Sequence, residues 1–327
     1  MKELFNVEDI HVGVVGLGLM GSSIVAALLI AGHPVVAIAP TDTDASEADL
    51  RISHQLDLCS HAHLIDKLPV SYLEHLTISQ DYDLLGACSV VIECVIEKIE
   101  IKTEVYQKIT AAVSSKTIIG SNTSAIPISV LQEKVLHPER FMGIHWAEPA
   151  FMTRFLEITC GRLTASEHAD RIFNLAHQWG KEPTLLKKDI RGFITNRLMY
   201  AVYREIFHLL ENETASQEDL DKAFRYDAGS WMTLMGLFRR MDYTGLADYG
   251  TIIDNLFPQL SNSENVPVKM QEMVRTTARG IHNGRGLFSY KNGESNEWDE
   301  AFANFNMEIR QLASEYSAGK MNDYLKP

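Results

Sequence analysis

The sequence lacks an apolar run long enough to cross a membrane. Its longest apolar stretch, residues 24–39, is interrupted by Gly32-His33-Pro34, whereas a transmembrane helix needs roughly 20 consecutive apolar residues. The N-terminal Met1-Lys2-Glu3 does not begin a secretory signal peptide. We therefore expect a cytoplasmic protein that has no membrane partner.

Cysteine and positive charge are also scarce. None of the four cysteines in the 327 residues belongs to a CxxC pair, so we expect free thiols and neither disulfides nor a metal site. Lys and Arg number 30 against 43 Asp and Glu, which gives a formal net charge of -13. This charge opposes nonspecific nucleic-acid binding, and the expected partner is a small molecule.

The first part of the chain alternates short apolar runs with amphipathic stretches, the βαβ pattern of a mostly parallel sheet. After Lys187-Lys188-Asp189 the pattern becomes helical, so we predict a Rossmann-type doubly wound α/β domain at 1–188 and an all-α helical domain at 189–327. The predicted strands are residues 11–15, 35–38, 90–93, 117–121, 141–145, 155–158 and 183–186. The predicted helices of the second domain are residues 193–210, 220–224, 234–241 and 268–277, and 291–327 is amphipathic and expected to pack against the body.

A glycine-rich turn follows the first predicted strand, at Gly16-Leu17-Gly18-Leu19-Met20-Gly21. In the dinucleotide-binding fingerprint Gly16 permits the tight turn, Gly18 lets the backbone approach a pyrophosphate, and Gly21 lets the helix pack closely on the strand. The alternative for a single GxGxxG is a purely structural turn. The strand-to-helix context favours a dinucleotide site that includes Leu19 and Met20.

The acid that usually ends the second strand of such a site is missing, since Ala39-Pro40-Thr41-Asp42 stands there. Asp42 can take its place from a shifted position. No arginine occurs before Arg51, and Asp42 and Asp44 would repel a 2′-phosphate. The expected cofactor is therefore NAD and not NADP.

Several further motifs, taken with the glycine-rich turn, resemble the 3-hydroxyacyl-CoA dehydrogenase family over roughly residues 8–290. The order and spacing of the whole set carry the resemblance, because each motif alone is weak. The motifs are Val91-Ile-Glu-Cys-Val-Ile-Glu97, Ser121-Asn-Thr-Ser124, Arg140-Phe-Met-Gly-Ile-His145, Leu156-Glu157, Gly192-Phe-Ile-Thr-Asn-Arg197, Met235-Gly236 and Gly284-Arg-Gly-Leu-Phe-Ser-Tyr290.

The resemblance implies a role for each polar residue. His145 would be the catalytic base and Glu157 its partner, because histidine can accept a proton near neutral pH and a carboxylate can orient its ring. Ser124 and Asn196 would hold the substrate oxygens in a cleft between the domains. The residues expected along the cofactor are Glu97, Lys102 and Asn122, together with Asp42.

Local interpretations compete with these roles. His145 could be a buried histidine at a strand end, and Ser124 could cap a helix that begins near Ile128. Asn196 could be a polar residue on a helix face, and Glu97 a solvated residue after a strand. The chain could also be a noncatalytic NAD-binding protein. A β-hydroxyacid dehydrogenase is a weaker alternative, because no GxxGxGxxxK motif occurs near Lys187 or Lys188.

The chain departs from the family in three places. Glu148 replaces the asparagine of His-Phe-Phe-Asn-Pro, and an ionised glutamate can only accept a hydrogen bond. The segment from Asp42 to Ser79 carries only Arg51 and Lys67 among many acids, which is unfavourable for CoA. Arg239-Arg240 could bind a carboxylate or form surface ion pairs.

These departures leave two substrate classes open. An acyl-CoA ester comes marginally first, because it is the commonest substrate of the family. A free hydroxy acid is the rival, since relatives of this fold act on L-gulonate and carnitine. The resemblance also implies a homodimer formed through the helical domain.

Overall fold

The structure, a computed structural model, describes residues 5–291 and 293–316. Two compact units divide the chain between Ile194 and Thr195. This division lies close to the boundary expected at residues 188 and 189. The first unit combines a β-sheet with helices, and the second unit is helical.

An eight-stranded sheet forms the centre of the first unit, in the order β3-β2-β1-β4-β5-β6-β7-β8. The strands from β3 through β6 run parallel to their neighbours, β7 is antiparallel to β6, and β8 is parallel to β7. The strands are β1 (Val12–Val15), β2 (Val35–Ile38), β3 (Leu76–Ser79), β4 (Val90–Glu93), β5 (Ile118–Ser121), β6 (Phe141–Trp146), β7 (Phe155–Cys160) and β8 (Glu182–Leu186). The mostly parallel sheet predicted from the sequence is confirmed.

The degree of burial explains which strands can be predicted from the sequence. Every residue of β1, β2, β4 and β5 is buried, because helices cover both faces of a parallel sheet and the strands become continuous apolar runs. The edge strand β3 is not among the predicted strands. Its Leu-Thr-Ile-Ser sequence is partly exposed, so it does not form an apolar run.

Within residues 5–194, six α-helices accompany the sheet. They are α1 (Leu19–Ile30), α2 (Asp42–His61), α3 (Pro69–Leu73), α4 (Ile99–Ala112), α5 (Ile128–Gln132) and α6 (Ser166–Gln178). Helix α1 directly follows the glycine-rich turn, and its residues from Gly21 to Leu29 are all buried. This burial fixes the start of α1 at the carboxyl edge of the sheet.

The second unit is helical, as predicted. Its helices are α7 (Thr195–Glu211), α8 (Gln217–Ala223), α9 (Gly229–Met232), α10 (Leu237–Thr244), α11 (Leu246–Leu256), α12 (Val268–Arg275) and α13 (Glu294–Glu315). Helix α10 begins later than the predicted residue 234, because the chain is extended at Gly236 before it. Helix α11, which contains Gly250, is not among the predicted helices.

The amphipathic C-terminal segment forms α13, and Tyr316 at its end lines a cavity of about 330 Å³ with residues 234–239. Large apolar side chains of α13 remain about half exposed, among them Trp298, Phe302 and Phe305. The expected packing of the segment against the body is thus limited within the described residues. The rest of that prediction, at residues 317–327, lies outside the described residues.

Two sequence-based expectations concern the chain as a whole. All four cysteines are free thiols, with Cys59 and Cys88 buried and Cys94 and Cys160 partly buried. Among the helices of residues 5–291 and 293–316, none combines the length and apolar character that crossing a bilayer requires.

Candidate active site

The carboxyl ends of β1, β4, β5 and β6 lie at one edge of the sheet, because these strands are parallel. The glycine-rich turn follows β1, Glu93 ends β4, Ser121 ends β5 and His145 lies one residue before the end of β6. In open α/β sheets, ligands bind at this edge. The sheet topology therefore collects the candidate residues of the first unit.

The glycine-rich turn has the shape that a pyrophosphate requires. Gly16 adopts a φ of 96°, and a Cβ atom on Gly21 would lie 1.7 Å from the Gly16 carbonyl oxygen. A Cβ on Gly18 would meet nothing within 4 Å, which leaves open space for a ligand at the start of α1. Leu19 and Met20 form the first turn of α1. These residues fit a dinucleotide.

Asp42 is the first residue of α2 and is exposed, three residues beyond the buried Ala39. Its Oδ1 accepts a hydrogen bond from Gln80 Nε2 at 3.1 Å. The only arginine nearby in sequence, Arg51, donates to the Leu17 carbonyl at 3.0 Å and forms an ion pair with Glu47. Arg51 is therefore already occupied by protein groups at this end of the site.

A buried polar cluster lies behind the edge of the sheet. Lys102 Nζ lies 2.8 and 3.0 Å from the two oxygens of Glu93 and also donates to the Val95 carbonyl at 3.3 Å. Tyr106 and Ser121 donate to Glu93 Oε2 at 2.8 and 2.7 Å. Burial, with the Glu93 charge in addition, raises the pKa of Tyr106 well above its ordinary value. The cluster is held in one arrangement by these hydrogen bonds.

Glu97 connects this cluster to the loop after β5. One carboxylate oxygen of Glu97 lies 3.2 Å from Lys102 Nζ, and the other accepts from the Thr123 hydroxyl and from the Ser124 and Ala125 amides. Burial alone would raise the pKa of Glu97, but the Thr123 hydroxyl and the Lys102 ammonium outweigh it and hold that pKa below its ordinary value. Glu97 is thus an anion that shapes the Ser124 loop.

The local interpretation of Ser124 as a helix cap is wrong. Helix α5 begins at Ile128, and Pro127 occupies the capping position. The Ser124 amide is instead bound to Glu97. The structure thus places Ser124 in the loop at the carboxyl edge of the sheet.

His145 and Glu157 form a pair across β6 and β7, where they are direct register partners. His145 Nδ1 lies 3.2 Å from Glu157 Oε2, and the side chain of His145 is 17% exposed while that of Glu157 is 0% exposed. The other oxygen of Glu157 accepts the Ile194 amide at 2.7 Å. Since an ionised carboxylate only accepts hydrogen bonds, this contact favours the tautomer of His145 that has its proton on Nδ1 and an unprotonated Nε2.

The remaining predicted residues are placed as follows. Asn122 accepts the Trp146 amide on its Oδ1 at 2.8 Å, which fixes the end of β6 beside β5. Glu148 lies just beyond β6 and precedes a cis peptide bond to Pro149. Asn196 belongs to the second unit, in the first turn of α7.

Sequence reasoning did not identify Glu93, Tyr106 or the Ile194 amide as part of the site. Glu93 reads as the last residue of a buried strand, and the only available signal is an acid at the end of an apolar run. Tyr106 lies four residues after Lys102 on α4 and so on the same helix face. A main-chain donor such as the Ile194 amide has no signature in residue type.

Comparisons with known proteins agree with the fold and with the glycine-rich turn. Residues 11–190 match the family model for the NAD-binding domain of 3-hydroxyacyl-CoA dehydrogenase, and residues 192–290 match the model for its C-terminal domain. The chain is similar to 5-formyl-3-hydroxy-2-methylpyridine 4-carboxylate 5-dehydrogenase of Mesorhizobium japonicum, with 32% identity over 86% of this chain and 90% of the relative. It is also similar to L-carnitine dehydrogenase of Oceanobacillus iheyensis, with 32% identity over 72% of this chain and 76% of the relative.

A solved structure extends this likeness. The crystal structure of a 5-formyl-3-hydroxy-2-methylpyridine 4-carboxylic acid 5-dehydrogenase, described as an NAD⁺-dependent dismutase, matches with a TM-score of 0.87 and 28% identity. The match covers 94% of this chain and 99% of that one. Together, the family models, the relatives and the fold place the chain in the 3-hydroxyacyl-CoA dehydrogenase family, as an NAD-dependent dehydrogenase that acts on a CH–OH group.

Proposed function

We propose that this dehydrogenase uses the His145–Glu157 pair to oxidise the hydroxyl group of a small free hydroxy acid. The observation that carries the proposal is the 3.2 Å contact between His145 Nδ1 and the fully buried Glu157 carboxylate. This contact leaves Nε2 of His145 as the proton acceptor. Glu157 then stabilises the imidazolium that forms, because an opposite charge at this distance favours the protonated ring.

The reaction removes two electrons and two hydrogens from the substrate. His145 Nε2 takes the hydroxyl proton while the carbon–oxygen bond becomes a carbonyl. NAD, when bound, supplies the acceptor for the hydrogen of the C–H bond and its two electrons. In the opposite direction, His145 returns the proton to the carbonyl oxygen as an acid.

The glycine-rich turn would hold the pyrophosphate of NAD, with the start of α1 facing it. Asp42 is the candidate for the adenosine ribose, because its exposed carboxylate follows β2. Glu97 and Asn122 are candidates on the nicotinamide side. Lys102 would act through Glu97, since its side chain is 1% exposed and its ammonium contacts Glu93 and Glu97.

A free acid is proposed over a CoA ester because of the charge of the segment from α2 to β3. Of its two basic residues, Arg51 is bound to Glu47 and to the Leu17 carbonyl, which leaves Lys67 among the acids. A CoA moiety carries several phosphate charges, which this surface would repel. The two relatives named above act on a pyridine carboxylate and on L-carnitine, both free acids.

The second candidate is a 3-hydroxyacyl-CoA ester. It is favoured by the match of both family models, which together extend over residues 11–290. Glu148 argues against it, because a carboxylate at this position cannot donate a hydrogen bond to a thioester carbonyl. The Ser124 hydroxyl can donate a hydrogen bond to the substrate oxygen with either class of substrate.

The test is NADH formation by the purified protein with L-carnitine, L-gulonate, 3-hydroxybutyrate and 3-hydroxybutyryl-CoA. Turnover with free acids alone would support the proposal, and turnover with the CoA ester alone would replace it by the second candidate. His145→Ala should lower kcat by about 10²–10⁴-fold, the usual contribution of a general base, with a smaller loss for Glu157→Gln. Equal activity of His145→Ala and the wild type would disprove the mechanism, provided that both bind NADH equally.

We also propose that the protein is a homodimer formed through its helical unit. Among the described residues of that unit only Leu220 is buried, while Phe238, Tyr243 and Val268 are 84%, 75% and 71% exposed. Apolar surface of this extent usually marks an interface. Sedimentation equilibrium should give twice the chain mass of 36.7 kDa, and a monomer at micromolar concentration would contradict the proposal.

A further inference from the structure

The segment that leaves β8 makes a turn through two consecutive residues of positive φ. Gly192 has a φ of 80° and Phe193 a φ of 49°. For a residue other than glycine, this left-handed conformation costs about 1–2 kcal/mol. Phe193 is nevertheless 0% exposed, so its surroundings stabilise a backbone that its residue type does not favour.

The Phe193 side chain and the Ile194 amide both contact the pair of His145 and Glu157. The Phe193 ring lies with its centroid 5.8 Å from that of the His145 ring, tilted by 52°. The next amide, that of Ile194, donates to Glu157 Oε1 at 2.7 Å. The side chain packs against the histidine, and the main chain binds the carboxylate that orients it.

The beginning of the segment is fixed as well. Asp189 Oδ2 accepts the Ser129 amide at 2.6 Å, which ties the segment to the first turn of α5. The Phe193 amide closes the turn onto the Ile190 carbonyl at 3.1 Å. The turn is therefore fixed by hydrogen bonds to α5, within itself at the Ile190 carbonyl, and to Glu157.

We propose that residues 189–194 are a positioning element for His145 and Glu157, in which Phe193 sets the turn and the Ile194 amide fixes the carboxylate. This inference rests on the proposed function, because it assigns a task to the turn only if the pair is catalytic. Each oxygen of Glu157 then has one partner, His145 Nδ1 on Oε2 and Ile194 N on Oε1. Phe193 and Ile194 position the pair and take no part in the proton transfer themselves.

Loss of the Ile194 amide has a predictable effect on His145. A buried carboxylate that loses a donor becomes harder to keep ionised, and it can rotate away from the imidazole. The imidazolium of His145 is then less stabilised relative to the neutral ring. Oxidation needs the neutral ring, and the acid limb of the pH–rate profile therefore moves to lower pH.

The experiment compares Ile194→Pro with Ile194→Ala in the full-length protein, using the substrate found in the NADH assay. The proline removes the N–H donor and is tolerated just before a helix, and it also disfavours the left-handed backbone of the preceding Phe193, so it disrupts both parts of the turn. The alanine keeps the donor and removes a side chain that is 39% exposed. We expect Ile194→Pro to lower kcat by roughly 10–100-fold, the scale of a small misplacement of catalytic groups. Its acid limb should move to lower pH by roughly half a unit or more, with the NADH Kd within about twofold of wild type, and Ile194→Ala should keep the wild-type pH profile.

Phe193→Ala is the second variant, for the case in which the proline prevents folding. It removes the ring against His145 and should also lower kcat and change the pH–rate profile. A lower melting temperature with an unchanged pH profile in both variants would show that the turn is merely structural and would overturn the inference. An active His145→Ala would instead overturn the proposed function, so the two failures are distinguishable.

Discussion

The two units of this chain differ in how far their apolar side chains are buried. In the first unit the central strands β1, β2, β4 and β5 and most of α1 are buried, and even charged residues such as Glu93, Lys102 and Glu157 are at most 1% exposed. In the second unit Leu220 alone is buried among the described residues, although its helices are rich in Leu, Phe and Tyr. The first unit therefore has a core of its own. The second unit leaves most of its large apolar side chains exposed, and the proposed dimer contact rests on this exposure.

The largest difference between the units should appear when an ion pair is broken in each. Lys102→Met leaves the Glu93 carboxylate buried without its cation, which typically costs about 3–5 kcal/mol. Lys222→Met removes the partner of Glu218 and Asp219 on α8, where the lysine side chain is 59% exposed, and should cost about 1 kcal/mol or less. Urea unfolding of both variants measures the two costs. Equal costs would mean that the buried cluster does not hold the first unit together.

An added methyl group should also act differently in the two units. Gly21→Ala places a Cβ 1.7 Å from the Gly16 carbonyl oxygen, a main-chain atom that cannot move freely. We expect a loss of about 1–3 kcal/mol of folding free energy and at least a tenfold weaker NADH affinity, measured by fluorescence titration. Gly250→Ala on α11 meets nothing within 4 Å and should raise the stability by up to about 1 kcal/mol, because alanine favours a helix interior. A Gly21→Ala protein that binds NADH normally would contradict the assignment of the cofactor site.

Charge placed on an exposed apolar residue tests the interface directly. Phe238→Asp on α10 changes a side chain that is 84% exposed, and Leu50→Asp on α2 changes one that is 72% exposed. If the helical unit is a dimer contact, Phe238→Asp should weaken association by about 2 kcal/mol, the scale of an interface hot spot, or about 30-fold in the dimer Kd. Leu50→Asp should leave the dimer intact. Sedimentation velocity over a concentration series measures both, and an unchanged dimer in Phe238→Asp would exclude that part of α10 from the interface.

The sequence predicts most of the first unit because burial on both faces leaves a plain apolar pattern. Strands such as β1 and β4 are continuous apolar runs, and the glycine-rich turn between β1 and α1 has residue types that only a close main-chain approach requires. Strand β3 is not predicted, because one edge is open and its sequence alternates with polar residues. Strands are thus predicted best where both of their faces are buried.

The candidate site is predictable to the extent that function depends on side chains. His145 and Glu157 are found from their types and spacing, together with the family resemblance. Phe193 and Ile194 stand in the motif Gly192-Phe-Ile-Thr-Asn-Arg197, but the sequence assigns them no role, because the relevant features are a left-handed backbone and a main-chain donor. Phenylalanine is not a residue type that signals positive φ. Only the folded arrangement relates such groups to the histidine.

The smallest expected effect concerns the pH dependence of the first unit. His33 is completely buried, and its Nδ1 lies 2.8 Å from the Ile10 carbonyl oxygen while its Nε2 lies 2.9 Å from the indole nitrogen of Trp179. An indole N–H can only donate, so Nε2 must be unprotonated and the ring neutral. Burial lowers the pKa of His33 below its ordinary value of 6.5, although the carbonyl hydrogen bonds oppose this.

The sign of the effect follows from proton binding in the two states. Below pH 6.5 the unfolded chain takes up a proton on His33 that the folded chain resists, so the stability contributed by the neutral ring is complete above this pH and is lost as the pH falls. The free energy of unfolding should therefore decrease with falling pH by up to about 1.4 kcal/mol per unit from this group. Urea titrations at pH 7.5, 6.5 and 5.5 measure the slope, and His33→Gln should flatten it, whereas His208→Gln on the exposed face of α7 should not. A slope that is the same in wild type and His33→Gln would show that this buried ring does not control the acid response of the first unit.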